Sequence, residues 1–133
     1  MKLLLPLRLL PGQDLRRALE NLAAGEAFHA AFVMAGIGSL VQGQLRYAGE
    51  SSEATVAGPL EILSLSGTLS RSGAHLHMSV SDALGRVCGG HVCYGNTIRT
   101  TAEVLLAPLP GWSLEREYDA ATGFNELVVR AIG

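Results

Sequence analysis

The sequence predicts an α+β domain: a mostly antiparallel sheet of seven to eight strands with one main helix packed on it. Three observations carry this reading. Only one segment, after Pro11-Gly12-Gln13-Asp14, places apolar residues at helical spacing. The remainder alternates in polarity over short runs separated by turn residues. The length, 133 residues, predicts a single domain over 1–133.

The elements follow in order. Residues 2–9 are leucine-rich, and Pro6 suits an edge strand because proline has no N–H for a ladder. Asp14 sits in the first turn of the helix, where the dipole favours an anion. Leu15, Ala18, Leu19 and Leu22 share one face, opposite Arg16, Arg17, Glu20 and Asn21. Gly25 is the stop. Residues 28–35 read as a strand buried on both faces, and Gly36-Ile37-Gly38-Ser39 reads as a bend. An alternating strand covers 42–48, and 49–59 form a loop with a short strand near 54–57. In the next strand, 61–71, Leu63, Leu65 and Leu69 take one face and Ser64, Ser66, Thr68 and Ser70 the other, with a bulge at Gly67. Strands over 74–82, 86–94, 98–107, 113–118 and 126–131 complete the list, with turns at 108–111 and 119–123.

Composition narrows the class. Apolar residues make up 48% and charged residues 17%, against a usual charged share of about 25%. Mean hydropathy is +0.28. A domain of this size buries only roughly 68% of its unfolded surface, so apolar side chains are left over. Disorder is excluded, and the surplus predicts a symmetric homo-oligomer. A membrane fits poorly. The uncharged run Ala27–Leu45 is crowded with glycine, serine and glutamine in its second half. Met1–Leu5 imitates a signal peptide, but Pro6 and Arg8 break it and no small-residue cleavage site follows. The expectation is a cytoplasmic protein.

Net charge is −2, and nine scattered arginines form no basic stripe, so the footprint of a nucleic-acid binder is missing. Cys88 and Cys93 lie five apart and would face opposite ways in one strand, which argues against an intrachain disulfide. Unpaired thiols agree with a reducing compartment.

The chemistry concentrates in the histidines. In His75-Leu76-His77-Met78-Ser79-Val80-Ser81 the two imidazoles share a face. Asp82-Ala83-Leu84-Gly85-Arg86 fits a three-residue hairpin loop with a left-handed glycine third. If Asp82 pairs with Arg86, His77 falls opposite His91 and His75 faces Cys93. Three imidazoles with an open fourth position suit Zn²⁺, although other divalent metals also bind imidazole. Against this, histidines in a strand often only decorate a solvated face, and a slip of one residue would send His91 to the other side. Cys93 is either a fourth ligand or a packed thiol. Glu103 and Glu126 are either acceptors behind the ligand histidines or surface carboxylates. His29, alone in an apolar strand, reads as a core or interface histidine. Gly36-Ile37-Gly38-Ser39 precedes no helix and has no lysine, so it is not a phosphate loop.

The ordered set of short motifs resembles a known family. It includes Arg8-Leu9-Leu10-Pro11-Gly12-Gln13-Asp14-Leu15, Gly36-Ile37-Gly38-Ser39-Leu40 and the run Leu60 to Leu69. His75-Leu76-His77, Gly89-Gly90-His91, Thr101-Ala102-Glu103-Val104 and Thr122-Gly123-Phe124-Asn125-Glu126-Leu127 follow. The set is similar to the PPC (plants-and-prokaryotes-conserved) domain in its short prokaryotic form, over nearly the whole chain. The resemblance implies the same α+β fold and a homotrimer. It also implies a divalent metal, zinc by ligand type, associated with His75, His77 and His91. In plants the domain sits beside an AT-hook that binds DNA, but this chain has no Arg-Gly-Arg-Pro core. The plant partner-binding stretch stands here as Gly58-Pro59-Leu60-Glu61-Ile62-Leu63, without its Arg and Phe.

Three functions are therefore weighed. The first is a trimeric metal-binding module, with a small-molecule ligand or regulatory role. The second is a DNA-associated regulator, which the charge does not support. The third is a metal-dependent enzyme, which lacks a placed general acid or base.

Overall fold

A computed structural model describes residues 3–25 and 30–133. The described chain runs β1 (Leu5–Leu9), α1 (Leu15–Gly25), β2 (Ala30–Leu40), β3 (Gly43–Arg46), β4 (Ala54–Val56) and β5 (Leu60–Ser70). It continues through β6 (Gly73–Ser81), β7 (Val87–Val92), β8 (Ile98–Pro108), β9 (Trp112–Asp119) and β10 (Phe124–Ala131). Eight strands form one sheet in the order β1-β8-β2-β5-β6-β7-β3-β4, and β9 and β10 form a separate hairpin. Every ladder is antiparallel. The predicted class is the observed one, with β1 and its Pro6 at an edge.

Asp14 caps the helix: its Oδ1 accepts from the amide of Arg17 at 2.9 Å, satisfying one of the first-turn donors. Leu15, Leu19 and Ala23 are buried, and α1 packs on β5 and β6. Leu65, Leu69, Leu76, Val80, Ile98 and Leu106 lie beneath it in one continuous core. No helix among the described residues is long and apolar enough to cross a membrane.

Three local expectations are corrected. The bend at Gly36–Ser39 is instead the continuation of β2, which runs unbroken to Leu40 with irregular register at Val33/Ala35 and Gly38/Leu40. The glycines serve close approach: a Cβ on Gly36 would lie 2.9 Å from the Leu65 side chain, and one on Gly38 2.5 Å from the Thr101 carbonyl. Second, β2 is not buried on both faces. Phe32, Met34 and Ile37 alternate outwards, and Met34 and Ile37 are 58% and 55% exposed. Third, the bulge of β5 falls between Ile62 and Ser64 rather than at Gly67. It shifts the phase of alternation, so Ile62 joins Leu65 in the core and Leu63 turns outwards. The predicted element over 28–35 begins outside the described residues, as does His29.

Candidate metal centre

The turn between β6 and β7 fixes everything that follows. Gly85 adopts φ +77°, a left-handed conformation that favours glycine. Its amide donates to the Asp82 carbonyl, and the Asp82 amide donates to the Arg86 carbonyl, both at 3.0 Å. The Asp82 carboxylate accepts from the amides of Leu84 and Arg86, each at 2.9 Å, and from Nε of Arg86 at 2.7 Å. This loop sets Ser81 opposite Val87, Ser79 opposite Gly89 and His77 opposite His91. The predicted register is therefore present.

The alternation of β6 puts His75 on the same face as His77, and the three rings converge. Their centroids lie 5.1 Å (His75–His77), 5.3 Å (His75–His91) and 5.8 Å (His77–His91) apart. One nitrogen from each ring lies within 4.8 Å of the others. Tetrahedral zinc with bonds of 2.0–2.1 Å wants such nitrogens about 3.3 Å apart. Side-chain rotation would have to close that gap on binding.

The electrostatics favour ligation. Burial, followed by the charge of Arg46, lowers the pKa of His91 to about 4. Burial first, then Arg116 and His77, also lowers His75, while Glu126 acts in the opposite sense. Neutral imidazole is the form that offers a lone pair to a metal. His91 adds a second observation: its buried Nδ1 has no hydrogen-bond partner among the described residues. An unsatisfied buried polar atom is costly. A metal drawn into the cluster, or a proton donor brought with a ligand, would remove that cost. On this test the three residues fit a metal.

Gly67 does more than interrupt a strand: it shapes this site. It sits on β5 opposite Leu76, with φ +150°. A Cβ there would lie 2.0 Å from the carbonyl oxygen of His75. Glycine lets β5 press against the backbone that carries the first histidine. A glycine interrupting an alternating strand was the available signal.

The other candidates sort cleanly. Cys93 does not face His75, because the β6–β7 ladder has His77↔His91 as its last pair. Its amide instead donates to the Gln44 carbonyl at 3.1 Å. The thiol is 5% exposed and outside the histidine cluster, and burial, then Glu53, raises its pKa. It is the packed thiol of the two readings. Glu103 pairs with Arg8 and Ile37 on β8. That strand stands three positions from β6 in the sheet, or roughly 14 Å at about 4.8 Å per strand. Glu103 therefore stays a surface carboxylate. Glu126 lines the cleft beside His75 and His91. Three arginines that the sequence reading did not connect with the histidines, Arg16, Arg46 and Arg116, line the same cleft.

Comparison with known proteins defines the class of this fold. Residues 4–110 match the model of the Plants and Prokaryotes Conserved (PCC) domain. The chain belongs to that family. Its fold is similar to that of a hypothetical protein from Salmonella cholerae-suis, at 38% identity and TM-score 0.92, over 96% of this chain and 93% of that one. It is also similar to a metal-containing protein from Archaeoglobus fulgidus, at 32% identity and TM-score 0.81, over 94% and 92% of the two chains. A curated relative, the bifunctional protein GlmU of a Synechococcus strain, is 46% identical over 127 residues. The match takes in 96% of this chain but only 20% of that protein's length.

Proposed function

We propose that the chain is a trimeric, metal-binding module in which His75, His77 and His91 hold one divalent ion, zinc by preference. The observation that carries the reading is the convergence of three imidazoles on one hairpin, with a buried nitrogen of His91 left unpartnered among the described residues. Three neutral nitrogen ligands leave a fourth tetrahedral position open, which suits zinc that meets an external ligand. The Archaeoglobus relative described as metal-containing supports the same reading.

We read residues 1–133 as one domain, with β9 and β10 packed back on the sheet. The guanidinium of Arg116 donates to the Thr68 hydroxyl at 3.1 Å, which supports that unity. Trimerisation is supported by the outward apolar residues Met34, Ile37 and Leu63 and by the resemblance to the PPC family. The free thiols Cys88 and Cys93 support a reducing, cytoplasmic setting. A homologous stretch forming 20% of a longer relative supports a binding module that works beside other domains, more than a self-sufficient enzyme. The net charge of −2 weighs against DNA as the partner.

Cobalt(II) substitution tests the coordination. The expected result is a set of visible absorption bands of tetrahedral intensity that saturate at one cobalt per chain and disappear in His77→Ala. Bands of equal strength in that variant would reject the ligand set.

A further inference from the structure

The cleft lined by His75 and His91 has a volume of about 520 Å³. Its lining includes three guanidiniums, from Arg16, Arg46 and Arg116, against one carboxylate, from Glu126. The arginines come from three separate elements. Arg16 lies on α1, Arg46 ends β3 opposite His91, and Arg116 lies on β9. Nothing local in the sequence forces them together, and like charges gathered in one cleft repel.

Each guanidinium is anchored by part of its donor set only. Arg16 gives NH1 to the Val92 carbonyl at 3.2 Å and Nε to Glu20 at 3.4 Å. Arg46 gives NH1 to the Glu50 carbonyl at 3.4 Å. Arg116 gives NH2 to Thr68 and His75, at 3.1 and 2.9 Å. A guanidinium has five N–H donors, so each keeps donors unused among the described residues. Paired donors of this kind match the oxygens of a carboxylate or phosphate.

The charge of the cleft selects between these anions. Three neutral imidazoles do not offset the charge of a bound divalent ion, and the arginines add to it. Two carboxylates, Glu126 in the lining and Glu20 on Arg16, do not neutralise three guanidiniums and a divalent ion. A monocarboxylate ligand would leave it strongly positive, whereas a phosphate monoester brings about two negative charges and three strong acceptor oxygens. The cleft also lies within the roughly 300–1,000 Å³ of small-molecule sites, which leaves space for an organic group beyond the phosphate.

We infer that the Arg16–Arg46–Arg116 cleft is a binding site for a small phosphomonoester, whose phosphate rests on the guanidiniums at the open side of the histidine cluster. This deepens the metal-module reading and rests on it for the position of the phosphate.

The test is calorimetric titration of phenyl phosphate into zinc-loaded protein, into the chelator-stripped protein, and into Arg46→Gln and Arg46→Lys. Zinc content and circular dichroism are read on the same samples. The expected result is saturable binding at one site per chain, weakened at least about tenfold in Arg46→Gln and partly retained in Arg46→Lys. Benzoate, a monocarboxylate of similar size, binds more weakly in every arm. Absence of saturable phenyl phosphate binding overturns the proposal. So does unchanged affinity in a folded Arg46→Gln variant, or benzoate binding as tightly. Native protein that takes up no zinc but binds phenyl phosphate through Arg46 would defeat the metal reading and leave the anion site standing.

Discussion

The guanidinium of Arg116 lies 2.9 Å from Nδ1 of His75. Arginine stays protonated and can only donate, so His75 Nδ1 is the acceptor and the ring's single lone pair is engaged. Ligation at this nitrogen displaces Arg116 directly. Ligation at Nε2 puts the proton on Nδ1, which then cannot accept. Metal binding by His75 therefore releases Arg116 from the ring and leaves it free to turn towards the cleft.

Removing this competitor should strengthen the metal site. A charge-assisted hydrogen bond is worth about 1.5–3 kcal/mol, less where solvent reaches it. Arg116→Gln is expected to bind zinc about tenfold more tightly in a chelator-competition titration. Equal or weaker affinity would show that Arg116 supports the site.

Acid should weaken the metal-free fold through His91. Its pKa is lowered to about 4 in the folded chain, against about 6.5 when unfolded. Protonation thus favours the unfolded state, and the stability present above pH 6.5 is lost as pH falls towards 4. Allowing for solvent access, the loss is about 1–2 kcal/mol. Urea midpoints measured in chelator at pH 7 and pH 4.5 check this, with His91→Gln as the reference. A pH dependence identical in both proteins would contradict the assignment.

Gly67→Ala should damage both fold and site. The new methyl would meet the His75 carbonyl at 2.0 Å, in a backbone conformation that alanine resists. A loss of at least about 1–3 kcal/mol is expected from urea denaturation, with lowered metal content in the fraction that folds. Wild-type stability would mean that β5 and β6 separate there without strain.

Assembly is tested by light scattering. The expected mass is three times the chain mass of 14.0 kDa. Ile37 and Leu63 border one surface cleft, and each is about half exposed. The pair Ile37→Asp and Leu63→Asp together is expected to shift the mass to one chain, because buried carboxylates at an interface are costly. A 14.0 kDa mass for the native protein would refute the trimer.

Much of this was legible in the sequence because two periodicities were clean. The helix at Leu15–Gly25 and the strand at Gly73–Ser81 both followed their patterns, and Asp82 to Arg86 declared the turn that sets the histidine register. The errors share one cause. Bulges and close backbone approach change the phase of a strand without changing its composition, so Leu63 and Gly36–Ser39 were misplaced. Arg16, Arg46 and Arg116 were beyond local reading altogether. They meet the histidines only through the packing of α1 on the sheet, the β3–β7 ladder and the return of the β9–β10 hairpin. More apolar surface is left outside than the sequence suggests, since Phe32 and Met34 face outwards rather than into the core.

The central claim is that His75, His77 and His91 form a metal site. Elemental analysis of the purified native chain beside folded His77→Ala tests it most directly. The account predicts close to one divalent ion per native chain, zinc foremost, and little in the variant. Equal metal content in the two proteins would contradict it.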